Sequence, residues 1–286
     1  MSIDLSALPT EEDVRFFEEN GYWFGPKVVS DERLEKYRAA MDRVYNCEYE
    51  TGTPPWSSNW KPGDDPKALR KMDNCHWSSL SLRELALDET IGAMAARLAR
   101  TDQVRLWHDQ LLYKPGGGKA SGNVGWHQDY YYWQCCDSPN MLTAWVAFDD
   151  VTVENGAMMV VARSHRWGMM NENDFFNTNI DNIQDQIKIP EGDKLEIVPC
   201  VPKAGHLSFH HSLTIHGSGA NQTDKPRRSL VVHMMDGKCR YRKNSPSEEH
   251  MNSLLLRGDD GDPFAGEFFP LLYSERQLVS SSGSSS

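Results

Sequence analysis

Trp126-His127-Gln128-Asp129-Tyr130 places an imidazole and a carboxylate two residues apart in a run of aromatic residues. On a β-strand the side chains of residues i and i+2 point to the same face, so His127 and Asp129 can reach one point while Gln128 points away. They would be two of the three protein ligands of a two-histidine, one-carboxylate site, which suits Fe(II) and leaves coordination positions open. A polar pair on a surface strand would have the same sequence. A metal site therefore requires a second histidine from elsewhere in the chain.

The second histidine is expected in residues 206–221. Four histidines compete for the role there: His206, His210, His211 and His216. Gly217 and Gly219 flank Ser218 directly after His216, and glycine at a strand end lets the backbone bend and a ligand approach closely. His216 is therefore the best-placed donor, although the spacing does not exclude the other three.

Arg227 and Arg228 open the apolar run Ser229-Leu230-Val231-Val232, which is typical of a strand. A guanidinium at the closed end of a pocket can hold a carboxylate through two parallel hydrogen bonds. Because side chains alternate along a strand, only one of the two arginines can face inward. The other is expected on a solvated surface.

The hydrophobic pattern predicts helices first and strands afterwards. Helices are expected to begin after Thr10, Ser30 and Asp88, since each of these residues can cap a helix N-terminus. Seven short apolar or alternating segments follow, at residues 104–107, 111–113, 141–148, 157–162, 195–201, 207–209 and 229–235. This order predicts a mainly β fold, a sandwich or barrel with flanking helices. We interpret residues 1–279 as one domain, with a helical part over about 10–100 and a β core over about 101–240.

Two long segments lack periodicity. Residues 47–77 contain Pro54-Pro55 and scattered tryptophans, which indicates a loop that either lines a substrate cavity or simply covers the surface. Residues 166–192 are polar, carry Phe175-Phe176 and could form a lid. The Ser-rich residues 280–286 cannot bury enough apolar area to fold and are expected to form a flexible tail.

The aromatic residues around the His-x-Asp pair could form either core or a substrate pocket. They are Trp126, Tyr130, Tyr131, Tyr132 and Trp133. In a pocket, their rings would favour a flat apolar or cationic substrate through stacking and cation–π attraction.

Charge and composition limit the kinds of molecule that the protein is expected to bind. Lys+Arg 30 against Asp+Glu 41 gives a formal charge of -11, which would repel a phosphate backbone, so we expect no nucleic-acid partner. The N-terminus lacks the features of a signal peptide, and no apolar run approaches the length of a membrane span, so we expect a cytoplasmic protein without membrane contact. The six cysteines show no C-x-x-C spacing and are expected to be reduced thiols.

Several separated motifs together resemble the phytanoyl-CoA dioxygenase family. They are His127-x-Asp129, Trp145, Asn155-Gly156 followed by Ser164-His165, and His216-Gly217-Ser218-Gly219-x-Asn221 with Arg227. The Gly21-Tyr22 start and the Lys114-Pro115 segment are similar too. The resemblance runs from about Thr10 to Met235 and keeps the motifs in order and spacing.

The resemblance implies a double-stranded β-helix (a jelly-roll, cupin-like core) that uses Fe(II), 2-oxoglutarate and O2. By position, His127, Asp129 and His216 would be the metal ligands and the catalytic centre. Arg227 would bind the distal carboxylate of 2-oxoglutarate with help from Ser218, and Trp145 and Gln110 would line that pocket. The substrate pocket is expected from Trp126, Tyr130, Tyr132 and Trp133. Halogenating relatives replace the carboxylate ligand with a small residue, so Asp129 favours hydroxylation or another oxidation.

The function that the resemblance implies is the oxidation of a free small molecule, by hydroxylation, desaturation or cyclisation. This oxidation would be coupled to the conversion of 2-oxoglutarate to succinate and CO2. No cluster of basic residues marks a coenzyme A site. The alternatives are a non-catalytic metal-binding β-barrel that acts as a sensor or binding module, and a zinc hydrolase. The oligomeric state stays open.

Overall fold

The computed structural model describes residues 3–117, 122–170, 174–175, 177, 179–181, 183 and 187–275. Five α-helices lie in this part of the chain: α1 Glu11–Asn20, α2 Asp31–Tyr45, α3 Leu80–Ala86, α4 Glu89–Leu98 and α5 Met251–Leu256. The predicted caps of three of them are confirmed. Thr10 forms a capping box with Asp13, while Ser30 and Asp88 accept backbone N–H groups of α2 and α4. None of the described helices has the length and apolar character that crossing a bilayer demands.

A large antiparallel sheet carries the helices on one face. Its strands run in the order β1-β9-β6-β11-β4-β3-β2, with β12 paired to β4. The bounds are β1 Tyr22–Lys27, β2 Ser57–Ser58, β3 Arg70–Asp73, β4 Gln103–Lys114, β6 Met141–Ala147, β9 His206–His211, β11 Arg227–Asp236 and β12 Leu271–Ser274. The main apolar core lies between this sheet and the helices: Tyr37 and Met41 of α2 and Met94 of α4 pack with the sheet residues Leu111 and Leu230.

A smaller antiparallel sheet contains four strands in the order β5-β10-β7-β8. They are β5 Val124–His127, β7 Met158–Val161, β8 Ile197–Cys200 and β10 His216–Ser218. Side chains from both sheets line one cavity. The predicted fold, mainly β with flanking helices, is therefore confirmed, and the cavity between the sheets is where the predicted ligands meet.

The structure differs from the predicted element bounds at several points. Residues 104–107 and 111–113 belong to one twelve-residue strand, β4. β1, which precedes the seven strand segments named above, runs through Gly25-Pro26 to Lys27 with a register shift between Phe24 and Lys27. The segment 47–77 contains the short strands β2 and β3. Helices α3 and α5 and strand β12 were not predicted. Most of residues 171–186 and all of 276–286 lie outside the described residues, so the lid and tail stay predictions.

A buried carboxylate joins β4 to the segment that precedes α3. Asp109 is fully buried and accepts hydrogen bonds from the backbone N–H and the thiol of Cys75 and from the backbone N–H of His76. Its Oδ2 also contacts the Nδ1 of His76. The cluster lies behind the cavity wall, because Asp109 points away from the face that carries His108 and Gln110. All six cysteines, including Cys75, are free, as expected.

We expect Asp109→Asn to lower the free energy of unfolding by about 3 kcal/mol, because it replaces a fully buried carboxylate oxygen that accepts hydrogen bonds by an amide NH2 group and leaves donors unmatched. Urea denaturation at neutral pH would measure the loss. The control is Asp31→Asn, whose side chain is 86% exposed and pairs with Lys27 at the surface; it should cost less than about 1 kcal/mol. Similar losses in the two variants would contradict a structural role for Asp109.

Candidate active site

His127, Asp129 and His216 converge at the base of the cavity. β5 and β10 pair with His127 opposite His216, and the two ring centroids are 4.1 Å apart. The Nε2 atoms of His127 and His216 each lie 3.6 Å from Oδ1 of Asp129. One potential ligand atom from each residue falls within 4.8 Å of the others. All three side chains are buried.

The backbone after β5 explains how Asp129 joins the two histidines. The strand ends at His127, earlier than predicted, and Asp129 opens a short 3-10 helix, Asp129–Tyr132. Gln128 between them keeps extended backbone angles, so the two neighbours still point to one side. Its own side chain points away, as predicted, and donates to the carbonyls of Gly168 and Leu213.

The donor set fits a divalent metal ion. Nδ1 of His127 lies 2.8 Å from the carbonyl oxygen of Gly125, and Nδ1 of His216 lies 2.9 Å from that of Thr214. Each Nδ1–H can donate to its carbonyl, which fixes the tautomer and leaves the Nε2 lone pair directed at the site. Burial lowers the pKa of His216 well below its ordinary value, so this ring is neutral and able to ligate.

The second carboxylate oxygen of Asp129 is held from behind. The Thr143 hydroxyl donates to Oδ2 at 2.8 Å, and Nε2 of His210 lies 3.2 Å from the same atom. Since the hydroxyl has one hydrogen, it accepts from Nδ1 of His233 at 2.8 Å. Burial alone would raise the pKa of the Asp129 carboxyl, but the surrounding imidazoles, His216 foremost, hold it well below its usual value. His210, one of the four competing histidines, thus supports the carboxylate.

The cavity has a volume of about 310 Å³ and a cationic end. Antiparallel pairing of β4 with β11 places Lys114 opposite Arg227. Lys114 is fully buried and donates to the Ser218 hydroxyl at 2.7 Å and to the carbonyl of Gly219. Burial lowers its pKa well below the ordinary value, and the charge of Arg227 adds to that effect. Lys114 was not predicted as a site residue, although it shares a strand face with Gln110, which was.

Arg227 is the inward member of the arginine pair. It donates from Nη2 to the carbonyl of Gly156 at 2.8 Å, and its guanidinium lies 5.0 Å from the Trp145 ring centroid. Its Nε atom is buried and has no hydrogen-bond partner among the described residues. Burial lowers its pKa to about 10, so it keeps its charge at neutral pH. Arg228 points to the other side and forms a bidentate pair with Asp149.

The structure separates the predicted aromatic residues into two groups. Tyr132 and Trp133 line the cavity. Trp126 follows the strand alternation away from His127 and packs in an apolar cluster with Val161 and Ile215. Tyr130 packs in another cluster and donates its hydroxyl to the carbonyl of Cys136. We therefore remove Trp126 and Tyr130 from the expected substrate pocket.

The cavity wall also contains residues from segments whose role the sequence did not decide. Trp56, from the 47–77 segment, lines the cavity, so that segment contributes to the wall as well as covering the surface. Phe175, from the segment predicted as a lid, packs 5.2 Å from the His127 ring, centroid to centroid. Three further histidines, His108, His233 and His250, line the cavity and were not predicted.

Comparison with known proteins points to one family. The family model for phytanoyl-CoA dioxygenase (PhyH) matches residues 17–229. The peroxisomal phytanoyl-CoA dioxygenase of Rattus norvegicus is 25% identical over 254 residues, which cover 84% of this chain and 72% of that protein.

Solved structures agree with that match. The non-heme alpha ketoglutarate dependent carbocyclase SnoK from nogalamycin biosynthesis superposes with a TM-score of 0.70 at 27% identity, covering 92% of this chain and 96% of its own. The epimerase SnoN, in complex with Fe3+, alpha ketoglutarate and nogalamycin RO, gives a TM-score of 0.70 at 27% identity, with 92% and 98% covered. These structures confirm the predicted jelly-roll core.

We expect Thr143→Val to weaken divalent metal binding by about 10-fold or more, because it removes the hydroxyl that orients Asp129. Thr143→Ser keeps the hydroxyl and should bind metal nearly as well as the wild type. Calorimetric titration with Fe(II) under nitrogen would measure both affinities. Equal affinities for the valine and serine variants would show that the Thr143 hydrogen bond does not support the site.

Proposed function

The chain belongs to the phytanoyl-CoA dioxygenase family, and we propose that His127, Asp129 and His216 bind the Fe(II) with which it oxidises a small-molecule substrate. The class of activity follows from the family: an Fe(II)/2-oxoglutarate-dependent oxygenase. The observation that carries the residue assignment is the convergence of two imidazole nitrogens and one carboxylate oxygen within 4.8 Å, in a cavity whose end holds a buried guanidinium.

The iron, with 2-oxoglutarate and O2, would supply the oxidising power, and 2-oxoglutarate would leave as succinate and CO2. Three protein ligands would leave positions open for 2-oxoglutarate and O2. The protein's contribution is to hold those ligands. Hydrogen bonds to the carbonyls of Gly125 and Thr214 orient the imidazoles, and Thr143 with His210 orients the carboxylate.

Arg227 and Lys114 would hold the distal carboxylate of 2-oxoglutarate. The Lys114 amine lies opposite the Arg227 guanidinium, and a carboxylate bound between them would stabilise the protonated amine and offset the repulsion between the two charges. The unpartnered Nε of Arg227 and the Ser218 hydroxyl are donors available to it. Trp145 packs against the guanidinium and Gln110 lines the same cavity, which supports assigning both to the 2-oxoglutarate pocket.

The main substrate would bind against Tyr132, Trp133 and Trp56, whose rings suit a flat molecule. We propose a free small molecule rather than an acyl-CoA, since the two cations at the far end of the cavity are assigned to 2-oxoglutarate. Hydroxylation, desaturation and cyclisation are all compatible with this site, and Asp129 occupies the position that halogenation would require to be small. The net charge of -11 supports the absence of a nucleic-acid partner. A cytoplasmic location stays a prediction, since the rat relative is peroxisomal by name.

A non-catalytic metal-binding module is disfavoured by the same residues. A binding module needs the three metal ligands but has no use for a buried guanidinium beside a buried amine. A zinc hydrolase would likewise leave those cations without a role, because its chemistry needs only the metal and its bound water.

We expect the Fe(II)-loaded protein to release succinate from 2-oxoglutarate slowly without substrate. His216→Ala should reduce this release by at least about 100-fold, because removing a metal ligand lowers metal affinity and activity more than the roughly 10- to 100-fold typical of removing a residue that only supports a ligand. The matched control is His206→Ala, which removes a half-exposed imidazole at the far end of β9. Mass spectrometry of succinate would measure the rates. A metabolite screen scored by succinate and by substrate mass would then identify the substrate. Equal rates for the two variants would contradict the metal-site assignment.

Arg227→Leu should raise the Kd for 2-oxoglutarate by about 100-fold, because the loss of a charge-assisted pair in a buried site costs a few kcal/mol. Arg228→Leu, on the neighbouring outward residue, should change it by less than about twofold. Calorimetry of 2-oxoglutarate with the Fe(II) protein under nitrogen would separate the two variants. An equal effect at both positions would contradict the carboxylate assignment.

A further inference from the structure

The end of the cavity opposite Arg227 and Lys114 is lined by three imidazoles that the iron site does not use as ligands: His108, His233 and His250. His108 lies six residues before Lys114 on β4, which corresponds to roughly 20 Å along the strand. β11 pairs His233 with His108, as it pairs Arg227 with Lys114 at the other end. We call these three residues the imidazole end.

His108 is a buried polar side chain that forms no hydrogen bond with the described residues. Its Nδ1 is buried and has no partner, and no described residue bonds to its Nε2 either. The ring packs 4.4 Å from His233 and meets Trp133 edge-on at 5.7 Å, both measured between centroids. The Nε2 atom is not among the buried unsatisfied atoms, so it is open to the cavity and is the nitrogen that a ligand can reach. A ligand in the cavity could therefore form a hydrogen bond with His108.

His250 supplies a donor beside it. Its Nδ1 accepts the backbone N–H of Asn252 at 3.2 Å as the N-cap of α5, so the neutral ring carries its hydrogen on Nε2. The rings of His250 and His108 are 5.6 Å apart, centroid to centroid. Rings at this centroid distance can present nitrogens close enough for a single oxygen to bridge them with two hydrogen bonds of about 2.8 Å each.

The imidazole end carries no net positive charge. Burial lowers the pKa of His250 to about 4 and that of His108 well below its ordinary value, so both are neutral at pH 7. Lys71, the nearby cation of the wall, pairs with both carboxylate oxygens of Asp73 at 2.8 and 2.7 Å. A substrate carboxylate or phosphate would therefore gain little here, whereas an uncharged group that both donates and accepts fits well.

We propose that His108 and His250 bind a hydroxyl group of an uncharged, flat substrate, and so select which carbon lies at the iron site. The hydroxyl oxygen accepts from His250 Nε2–H and its hydrogen is donated to His108, while Tyr132 and Trp133 contact the flat body. The substrate class is an uncharged aromatic or polycyclic alcohol or phenol. This inference rests on the proposed function and names the substrate class of that site.

Matched probes test the inference on the protein loaded with Fe(II) and 2-oxoglutarate under nitrogen. The probes are 2-naphthol, which donates and accepts, 2-methoxynaphthalene, which only accepts, and 2-naphthoate, which is charged. Calorimetry should show about tenfold tighter binding of 2-naphthol than of either other probe, the effect of one matched hydrogen bond. In His108→Phe the affinity for 2-naphthol should fall to about that for 2-methoxynaphthalene. The affinity for 2-methoxynaphthalene itself should change by less than about twofold. His108→Gln, which keeps an acceptor, should restore part of the preference for 2-naphthol.

Further variants separate a binding role from a structural one. His250→Asn keeps an N-cap side chain but is too short to donate into the cavity, so it should weaken the binding of 2-naphthol and 2-methoxynaphthalene by a similar factor of about tenfold and leave their ratio in place. His206→Phe, away from the cavity, should leave both affinities unchanged. The melting temperature of His108→Phe should not fall, because the ring gives up no hydrogen bond; a clear fall would indicate a structural role and overturn the assignment.

The two proposals fail in distinguishable ways. Absence of 2-oxoglutarate binding to the Fe(II) protein would overturn the proposed function, and titration of the metal-free protein with the probes would still decide the inference, since the imidazole end holds no iron ligand. Equal binding of the three probes, no binding of any, a preference that persists in His108→Phe, or unchanged affinities in His250→Asn would overturn the inference while 2-oxoglutarate binding stays intact.

Discussion

The pairing of β5 with β10 determines where the two imidazoles meet. Both strands are short, four and three residues, yet their register sets His127 opposite His216 although 88 residues separate them in the chain. A slip of one residue would turn one ring to the other face of the sheet and separate the two nitrogens. Gly217 permits this register, because a Cβ there would lie 3.0 Å from the carbonyl of Val124 and 3.2 Å from the Trp126 ring. A side chain at position 217 would push the strands apart.

Local chemistry explains why part of this arrangement is readable from the sequence. The spacing of His127 and Asp129 and the glycines after His216 are short-range features, and so are the caps Thr10, Ser30 and Asp88. Strand alternation predicts that one of the two neighbouring arginines faces inward, but only the family resemblance chose Arg227. The facing of the aromatic residues was harder to predict, because it depends on where β5 ends. The strand ends at His127 and a 3-10 turn follows, so Tyr132 and Trp133 reach the cavity while Tyr130 does not.

The missed site residues depend on pairing between distant strands. Lys114 reads from sequence as a surface residue at a strand end, and its burial follows from the register that sets it opposite Arg227. A signal was nevertheless present: alternation from Gln110 places His108 and Lys114 on its face, and alternation from Arg227 places His233 inward. Once Gln110 and Arg227 are assigned to the inward face, the same alternation therefore predicts inward side chains at both ends of the cavity. His250 follows a turn-rich segment whose position no local pattern specifies.

The two faces of the large sheet divide stability from function. The face against the helices is mostly apolar and closely packed: Leu106, Leu111 and Leu230 are fully buried, and the hydrogen-bonded carboxylate of Asp109 is an exception. The opposite face holds cations, imidazoles and a carboxylate at the same depth, several with unmatched atoms. Buried polar groups destabilise a fold unless a bound ligand supplies their missing hydrogen bonds. Packing on the apolar face must therefore offset the cost of the unpaired polar groups on the other face. The unmatched atoms at the two ends then differ in kind: charged donors at Arg227 suit a dicarboxylate, and neutral nitrogens at His108 suit a hydroxyl. Under the two proposals, one sheet face would hold 2-oxoglutarate at Arg227 and the substrate hydroxyl at His108, in a cavity that His127, Asp129 and His216 also line.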